Sequence, residues 1–543
     1  MAPAARGESG PGSGKRLSSS YRTVGMVLSR KCLILQLPIA LFFLACLVET
    51  SAILRINRGR FVYTLDDAYV HLAMAENIAR GHYGINLEEA SAPSSSILWP
   101  VLLAPFASWE IGEYVPLVIN LVAAAATLSL IGKIAAMTLD GLPERGKGAK
   151  TICLVIALGL ATNVVGLSFT GMEHPLQVFL AVALMWGLIL ERTRGIVPWW
   201  MVMAIISGPL VRFENLALAV PAVIHLAATR HIRSAAASAL GLLLGLGGFA
   251  VFLHSQNLGW LPTSVLLKIP VFSDQTGQLA LGEGLVVKLL SGPSILLSLG
   301  ILALLVFAFS CPRDPDRPLA LWAALGGLAH LFVGRFGWFA RYEIYIWSVI
   351  LLTVMYVYRG RLVAFLKGQT FAIPLALGAF GLLTLGQHYL VPLVQTPIGS
   401  NNIYEQHYQM HRFAAQFVRE PVAVNDVGFV SYRNDNYVLD LYGLASEEAL
   451  ALRRSAASPE WMDVLARQHH VHVAMIYDLW FPVVPRTWTP VARMYLGRAN
   501  LTPASNVVAF YVVDPGMVDR TLSQLRLFAQ TLPPDVSLEF LRE

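Results

Sequence analysis

Charge is scarce in this sequence. Only 14% of its 543 residues are Asp, Glu, Lys or Arg, while 55% are hydrophobic, and the mean hydropathy is +0.58. A water-soluble globular chain cannot hide that much apolar surface, so that class is excluded. Cysteine is scarce too. Cys32, Cys46, Cys153 and Cys311 lie in or beside apolar runs, at spacings that suit neither a disulfide framework nor a metal site. The long C-terminal region has no cysteine, so its stability must come from packing. The sequence shows no Walker loop, no glycine-rich dinucleotide fingerprint and no Gly-x-Ser-x-Gly elbow, and thus offers no ATP, NAD or serine-hydrolase chemistry.

Long apolar runs are abundant. They fall near residues 32–54, 115–137, 151–170, 175–190, 196–210, 211–228, 235–253, 285–310, 319–334, 343–358 and 371–395, about eleven in all. A run of about 20 apolar residues is what crosses a bilayer as a helix. Thr50-Ser-Ala52 has the look of a signal-peptidase site, but the first run is long for a signal sequence and many spans follow, so an uncleaved anchor is expected. Residues 1–31, rich in Gly, Ser and basic side chains, read as a disordered cytoplasmic tail. With that tail inside, the loops due to face the cytoplasm carry Arg145, Lys147 and Lys150; Arg192 and Arg194; Arg230 and Arg233; Arg313 and Arg317; and Arg359, Arg361 and Lys367. All are basic, as the positive-inside rule requires. Topology therefore explains the net charge of +6 and the pI near 9.1, and no nucleic-acid partner is expected. An odd number of spans places residues 396–543 on the outer side of what is expected to be a bacterial plasma membrane. Residues 94–109 are short for a span and contain Pro100 and Pro105. A crossing there would invert every later loop, so they are expected to lie in the outer interface.

The expected fold class is a polytopic α-helical membrane protein with a C-terminal extracytoplasmic α/β domain. The membrane module spans 32–395, including a first outer loop at 55–114, and the outer domain spans 396–543. In that domain, 402–419 patterns as an amphipathic helix, and 421–432 and 436–442 as strands. Residues 446–467 pattern as a helix, 470–477, 489–496 and 506–513 as strands, and 516–530 as a helix.

Asp66 and Asp67 stand side by side just beyond the first span, in Tyr63-Thr-Leu-Asp-Asp-Ala-Tyr-Val-His71. The plain role for such a pair is helix capping, with Thr64 and Asp67 forming a capping box and both acids facing the positive end of the helix dipole. A cap needs one carboxylate, however, and His71 falls on the same helix face as Asp67, where the two can share a cavity. The serines of the loop Gly81–Ser96 pattern as solvated turn residues.

Asp66-Asp-Ala-Tyr69, Ala79-Arg-Gly81 and Ser96-Ile-Leu-Trp99 resemble the first outer loop of the C-type (GT-C) glycosyltransferases. The resemblance is strongest to bacterial members related to arabinofuranosyltransferases, protein mannosyltransferases and aminoarabinose transferases. Gly171-Met-Glu173, Arg212-Phe-Glu214, Leu261-Pro-Thr-Ser264 with Lys268, Arg341-Tyr342, Asn425-Asp-Val-Gly428 and Asp440-Leu-Tyr-Gly-Leu444 continue it in order along the chain. Trp99 follows Ile97-Leu98 where relatives often show Pro-Leu-Trp. The resemblance implies a polyprenyl-phosphate-linked sugar donor, with Asp66 and Asp67 at the reaction centre. The acceptor would be an envelope glycan, lipid or protein. One carboxylate would act as base, with Asp66 favoured as the first acid of the pair. The other would orient the acceptor or share a divalent metal with it.

A departing phosphate needs cations. Lys268, Arg335, Arg341 and Arg212 fall near outer span ends, where basic residues are unusual, and Arg341 and Lys268 stand out. Snorkelling is the structural alternative for each. His71 and Tyr342 belong to the same candidate substrate-binding set, and Glu173 and Glu214 are expected to support it by pairing with the cations. His407, His411, His469, His470 and His472 lack Cys or carboxylate partners at ligand spacing and are expected to be core or surface histidines. A transporter or an envelope scaffold is the alternative function. A transporter should carry charges deep in several spans or two related halves, which this sequence lacks. A scaffold leaves the acidic pair unexplained.

Overall fold

The computed structural model describes residues 36–267, 291–367 and 387–542. Its first part is a bundle of apolar helices: α1 (Gln36–Ile56), α2 (Asp67–Ala79), α3 (Val115–Thr138), α4 (Glu144–Ala161), α5 (His174–Arg194), α6 (Trp199–Val211), α7 (Leu216–Ala228), α8 (Ile232–Ser255), α9 (Gly292–Ser310), α10 (Arg317–Val333) and α11 (Ile344–Val357). Five of these regions, α1, Glu110–Thr138, α5, α8 and α9, are long and apolar enough to cross a membrane. A sixth is obtained if α11 and Arg359–Lys367, bent by 65°, form one span. Trp199–Val211, Phe213–Ala228 and Arg317–Val333 are apolar but shorter. The expected span at 151–170 is divided between α4 and the short helix Val164–Ser168, with Asn163 at φ 46° between them. The expected span at 371–395 and the tail at 1–31 fall largely or wholly outside the described residues, so length alone gives fewer crossings than the apolar runs suggested.

The central helix is α5. Its most apolar stretch is 72% buried, packed on α3, α6 and α11, whereas α1 and α8 are 22% and 17% buried. Leu47, Leu243 and Phe309 remain 64%, 69% and 71% exposed, an apolar belt that lipid tails would cover. Residues 94–109, expected to lie flat, form the six-residue helix Leu98–Leu103 and the 3-10 turn Ala104–Phe106. At 1.5 Å per residue the helix is only about 9 Å long.

The C-terminal part begins with α12 (Gln387–Glu405) and α13 (His407–Arg412), and its sheet has the order β2-β1-β3-β5-β4-β6. β1 (Val422–Val424) lies parallel to β2 (Val438–Asp440) and β3 (Val473–Ile476). β4 (Thr489–Tyr495), β5 (Val507–Val512) and β6 (Ser537–Phe540) continue the sheet antiparallel. Three expectations change. The helix expected over 402–419 is divided at Gln406 between α12 and α13 and finishes in a π-helical turn, Phe413–Val418. The strand expected over 421–432 ends at Val424, and Gly428–Ser431 forms a helical turn, α14, whose first amides bond to Asp66. The single helix expected over 446–467 is two, α15 (Glu447–Ser455) and α16 (Glu460–Gln468). Pro459 lies between them; its ring disfavours a helical residue before it and it has no amide hydrogen to donate.

The domain docks on the helix bundle through polar contacts and an aromatic stack. Asn86 of the first loop pairs with the β2 edge as a strand would: its Nδ2 donates to Val438 O at 3.0 Å and its Oδ1 accepts from Val438 N at 2.9 Å. Asn57 Nδ2 donates to Ser400 Oγ at 2.9 Å, and Asn401 Nδ2 donates to Asn57 Oδ1 at 3.1 Å. The Tyr69 ring stacks on Phe429, with centroids 3.7 Å apart.

Candidate active site

Asp66 and Asp67 sit at the start of α2, and the expected capping box does not form. The Thr64 hydroxyl donates to Phe169 O at 3.4 Å, and the Asp66 side chain makes no bond within its own helix. Instead, Asp66 Oδ2 accepts from Gly428 N at 2.9 Å and Oδ1 from Phe429 N at 2.8 Å. A Cβ on Gly428 would stand 2.2 Å from Asp66 O, so only glycine permits this approach.

Asp67 turns to a different neighbour. Its Oδ2 accepts from Arg341 Nη2 at 2.5 Å, and its side chain remains 41% exposed. Arg341 is buried. Its Nη2 also donates to the Tyr342 hydroxyl at 3.0 Å, and its guanidinium lies 4.8 Å from the centre of that ring. Its Nε and Nη1 have no hydrogen-bond partner among the described residues. These groups line a cavity of about 80 Å³ together with His71, Ser95, Arg212 and Ser264.

Below them runs a buried polar chain. Arg212 donates through Nε and Nη2 to both oxygens of Glu214, at 3.1 and 2.6 Å, and through Nη1 to Glu173 Oε1 at 2.8 Å. His71 Nε2 lies 3.5 Å from Glu173 Oε2, and Ser94 Oγ lies 3.1 Å from His71 Nδ1. Gly171 places Glu173. It has φ +68°, and a Cβ there would stand 2.6 Å from Ala68 Cβ on α2. The loop serines are not solvated: Ser91, Ser94, Ser95 and Ser96 are buried, and Ser264 Oγ donates to Ser94 O at 2.8 Å. Thr263 Oγ1 bonds both Ala92 O and Leu444 O, joining Leu261–Ser264 to the turn that Asp440 closes. Asp440 accepts from Tyr442 N at 2.8 Å and Ala445 N at 2.7 Å.

The motifs that lie apart in sequence therefore meet at one place. Two of the expected cations do not join them. Lys268 lies outside the described residues. Arg335 is exposed, donates to Leu267 O at 3.1 Å, and does not line the cavity. Arg212 reaches the cavity, but its guanidinium is held by two carboxylates and donates to Ser95 Oγ at 3.3 Å. Arg341 lines the cavity and has two buried donors, Nε and Nη1, without a partner among the described residues.

On the other side of Asp66, His407 and Asp426 complete a group whose donor atoms all lie within 4.8 Å of one another. His407 Nε2 is 3.1 Å from Asp426 Oδ2 and 3.2 Å from the Tyr477 hydroxyl. Burial pushes the Asp66 carboxyl above its ordinary range; the His407 charge pulls it back, and Asp426 pushes it further up. Burial works against a charge on His407, but Asp66 and Asp426 outweigh it and raise its pKa. His407 was set aside on spacing as a core histidine. It is buried, yet three distant chain segments make it part of a set of donors able to hold a metal ion. Any such site shifts from the Asp66/Asp67 pair to Asp66 with His407 and Asp426. The only advance signals were the resemblance at Asn425–Gly428 and the His407/His411 spacing.

A larger cavity, about 1000 Å³, lies at the far ends of α3, α5 and α11, but its arginines Arg192 and Arg359 are both paired with Asp316.

Residues 401–511 match a family profile described as "Domain of unknown function (DUF8728)". No curated protein matches the sequence. The structure is similar to crystal structures of an Archaeoglobus fulgidus oligosaccharyltransferase. One, in complex with Zn and sulfate, is 10% identical with a TM-score of 0.41, covering 83% of this chain and 72% of that one. The apo form has the same identity and TM-score, covering 86% and 74%. At these values the similarity carries no information about activity.

Proposed function

We propose that the protein transfers a glycosyl unit from a polyprenyl-phosphate-linked sugar to a hydroxyl of a cell-envelope lipid, glycan or protein, on the outer side of the membrane. The observation that carries this reading is Arg341. Its buried guanidinium holds Asp67 with one nitrogen and keeps two others without a partner among the described residues, in the wall of a small cavity. A buried cation with unpartnered donors suits an anion such as a lipid phosphate, and the half-exposed carboxylate beside it suits a hydroxyl.

In the reaction, the acceptor oxygen attacks the anomeric carbon from the face opposite the phosphate. The new C–O bond forms, the C–O bond to phosphate breaks, and the configuration inverts. Asp67 takes the hydroxyl proton. Arg341 receives the charge that develops on the phosphate through Nε and Nη1. As the leaving group claims that guanidinium, Arg341 neutralises Asp67 less, and the carboxylate's proton affinity rises when the proton must move. His71 and Tyr342 border the cavity and orient the substrates, while Glu173 and Glu214 fix Arg212. Asp66, with both oxygens on backbone amides, anchors the C-terminal domain, so the base assigned here is Asp67 rather than Asp66.

The test uses the full chain in lipid nanodiscs, a panel of radiolabelled polyprenyl-phosphate sugars and envelope extract as acceptor. Release of polyprenyl phosphate and label in the acceptor are expected. Asp67→Asn should lower turnover by about 100-fold or more while the protein still folds, its thermal midpoint reduced by the loss of the ion pair with buried Arg341. Turnover of none of the donors, or an Asp67→Asn protein as active as wild type, would overturn the reading.

A further inference from the structure

We propose that Asp66, His407 and Asp426 bind one divalent transition-metal ion, zinc in preference to magnesium or calcium, and that this ion ties the C-terminal domain to the first loop. Three observations converge.

The first is geometric. The three side chains come from the start of α2, the start of α13 and the segment between β1 and α14, yet their donor atoms lie within 4.8 Å of one another. Zinc bonds to nitrogen and oxygen of about 2.1 Å place tetrahedral ligands about 3.4 Å apart. The His407 Nε2 to Asp426 Oδ2 separation is 3.1 Å, and an Asp66 oxygen, which keeps a second lone pair beyond the amide bond it accepts, lies within 4.8 Å of both.

The second is charge. Asp67, Glu173, Glu214 and Asp316 each face an arginine. Among the described residues, no Lys or Arg pairs with Asp66 or Asp426, so two carboxylates converge on one imidazole. A divalent ion supplies the positive charge that the protein provides at every one of those other carboxylates.

The third is His407 itself. Its side chain is 1% exposed, and its Nδ1 has no hydrogen-bond partner among the described residues. Nothing holds the ring from behind, so its position depends on what Nε2 meets. Without an ion, a proton on Nε2 bridges His407 to Asp426 Oδ2 at 3.1 Å. A divalent ion that displaces this proton bonds both atoms. Asp426 is 24% exposed, which gives the ion a way in.

One imidazole with two carboxylates favours zinc and its first-row neighbours, whereas magnesium and calcium favour oxygen ligands alone. The site is independent of the glycosyl-transfer reading, because ion binding is measured without donor or acceptor.

The experiment takes the full-length protein in detergent with its tag removed, strips it with chelator, and titrates Zn²⁺, with bound metal read by mass spectrometry after desalting. About one zinc per chain and a higher thermal midpoint are expected, with no gain from millimolar Mg²⁺ or Ca²⁺. His407→Gln and Asp426→Asn should each abolish the bound zinc and its thermal shift, and Asp426→Glu should retain zinc at lower affinity. If His407→Gln does not fold, Asp426→Asn at its partly exposed position decides alone. Equal zinc in wild type and Asp426→Asn, which would mark other histidines such as His469, His470 and His472 as the ligands, overturns the proposal. So does wild type that takes up no zinc, or that takes up Mg²⁺ equally well.

Discussion

Asp66 and Asp67 are chemically identical neighbours with different fates. Asp66 binds two amides of the C-terminal domain and Asp67 binds a guanidinium beside a cavity. Their asparagine variants should therefore fail differently. Asp67→Asn should fold and lose turnover. Asp66→Asn keeps only one acceptor oxygen and turns its own N–H group toward an amide, at a cost of about 1–3 kcal/mol. It should lower the thermal midpoint and speed proteolysis between bundle and domain. His411 gives a pH-dependent case. Burial pushes its pKa down to about 4, and the Arg60 charge adds to this. In the unfolded chain it titrates near 6.5, so the folded state loses stability as pH falls from about 6.5 toward 4, on the order of 2 kcal/mol by pH 5. Above pH 7 both states are neutral and the group contributes nothing. His411→Gln should narrow the gap between thermal midpoints at pH 7.5 and pH 5; an unchanged gap would show that His411 is not buried neutral.

At the scale of elements, glycines set how closely segments approach. Gly171 lets the loop before α5 touch α2, and Gly428 lets α14 meet the start of α2. Gly428→Ala would put a methyl group 2.2 Å from Asp66 O, a clash with backbone that no rotamer change relieves. A loss of at least about 2 kcal/mol is expected, read as a lower thermal midpoint and faster amide exchange at Gly428 and Phe429. Alternating apolar residues over 421–432 fit a strand locally, but residues 428–431 close a helical turn through Ser431 N to Val427 O and Tyr432 N to Gly428 O, and the first amides of that turn are satisfied by Asp66, far away in sequence.

At the scale of the molecule, the candidate site and the C-terminal domain lie at one end of α5, and Arg192 and Asp316 at the other, about 30 Å away for a helix of 21 residues. The positive-inside pattern predicts that the Asp66 end faces outside. In a protein with its cysteines replaced, Leu479→Cys, 69% exposed on the domain, should react with an impermeant thiol reagent in intact cells. Ile196→Cys, 60% exposed beyond the other end of α5, should react only after lysis. The reverse pattern would place the site in the cytosol and end the proposed reaction.

Composition and run length pointed to a bundle of apolar helices, and the change of periodicity to a C-terminal α/β domain; the structure has both the apolar helices and the six-stranded sheet. The acidic pair, Arg341 and the two glutamates stand out in the sequence by their positions near expected span ends, and their roles in catalysis belong to the proposed reaction. Sequence could not assign Asp66 and Asp67 to different partners, or bring His407 and Asp426 to Asp66. It also could not show that Arg335 stays exposed while Arg341 is buried with two donors unpartnered among the described residues. Periodicity and charge act over a few residues, whereas the partner a side chain meets depends on which surfaces pack together, and here those surfaces come from opposite ends of the chain.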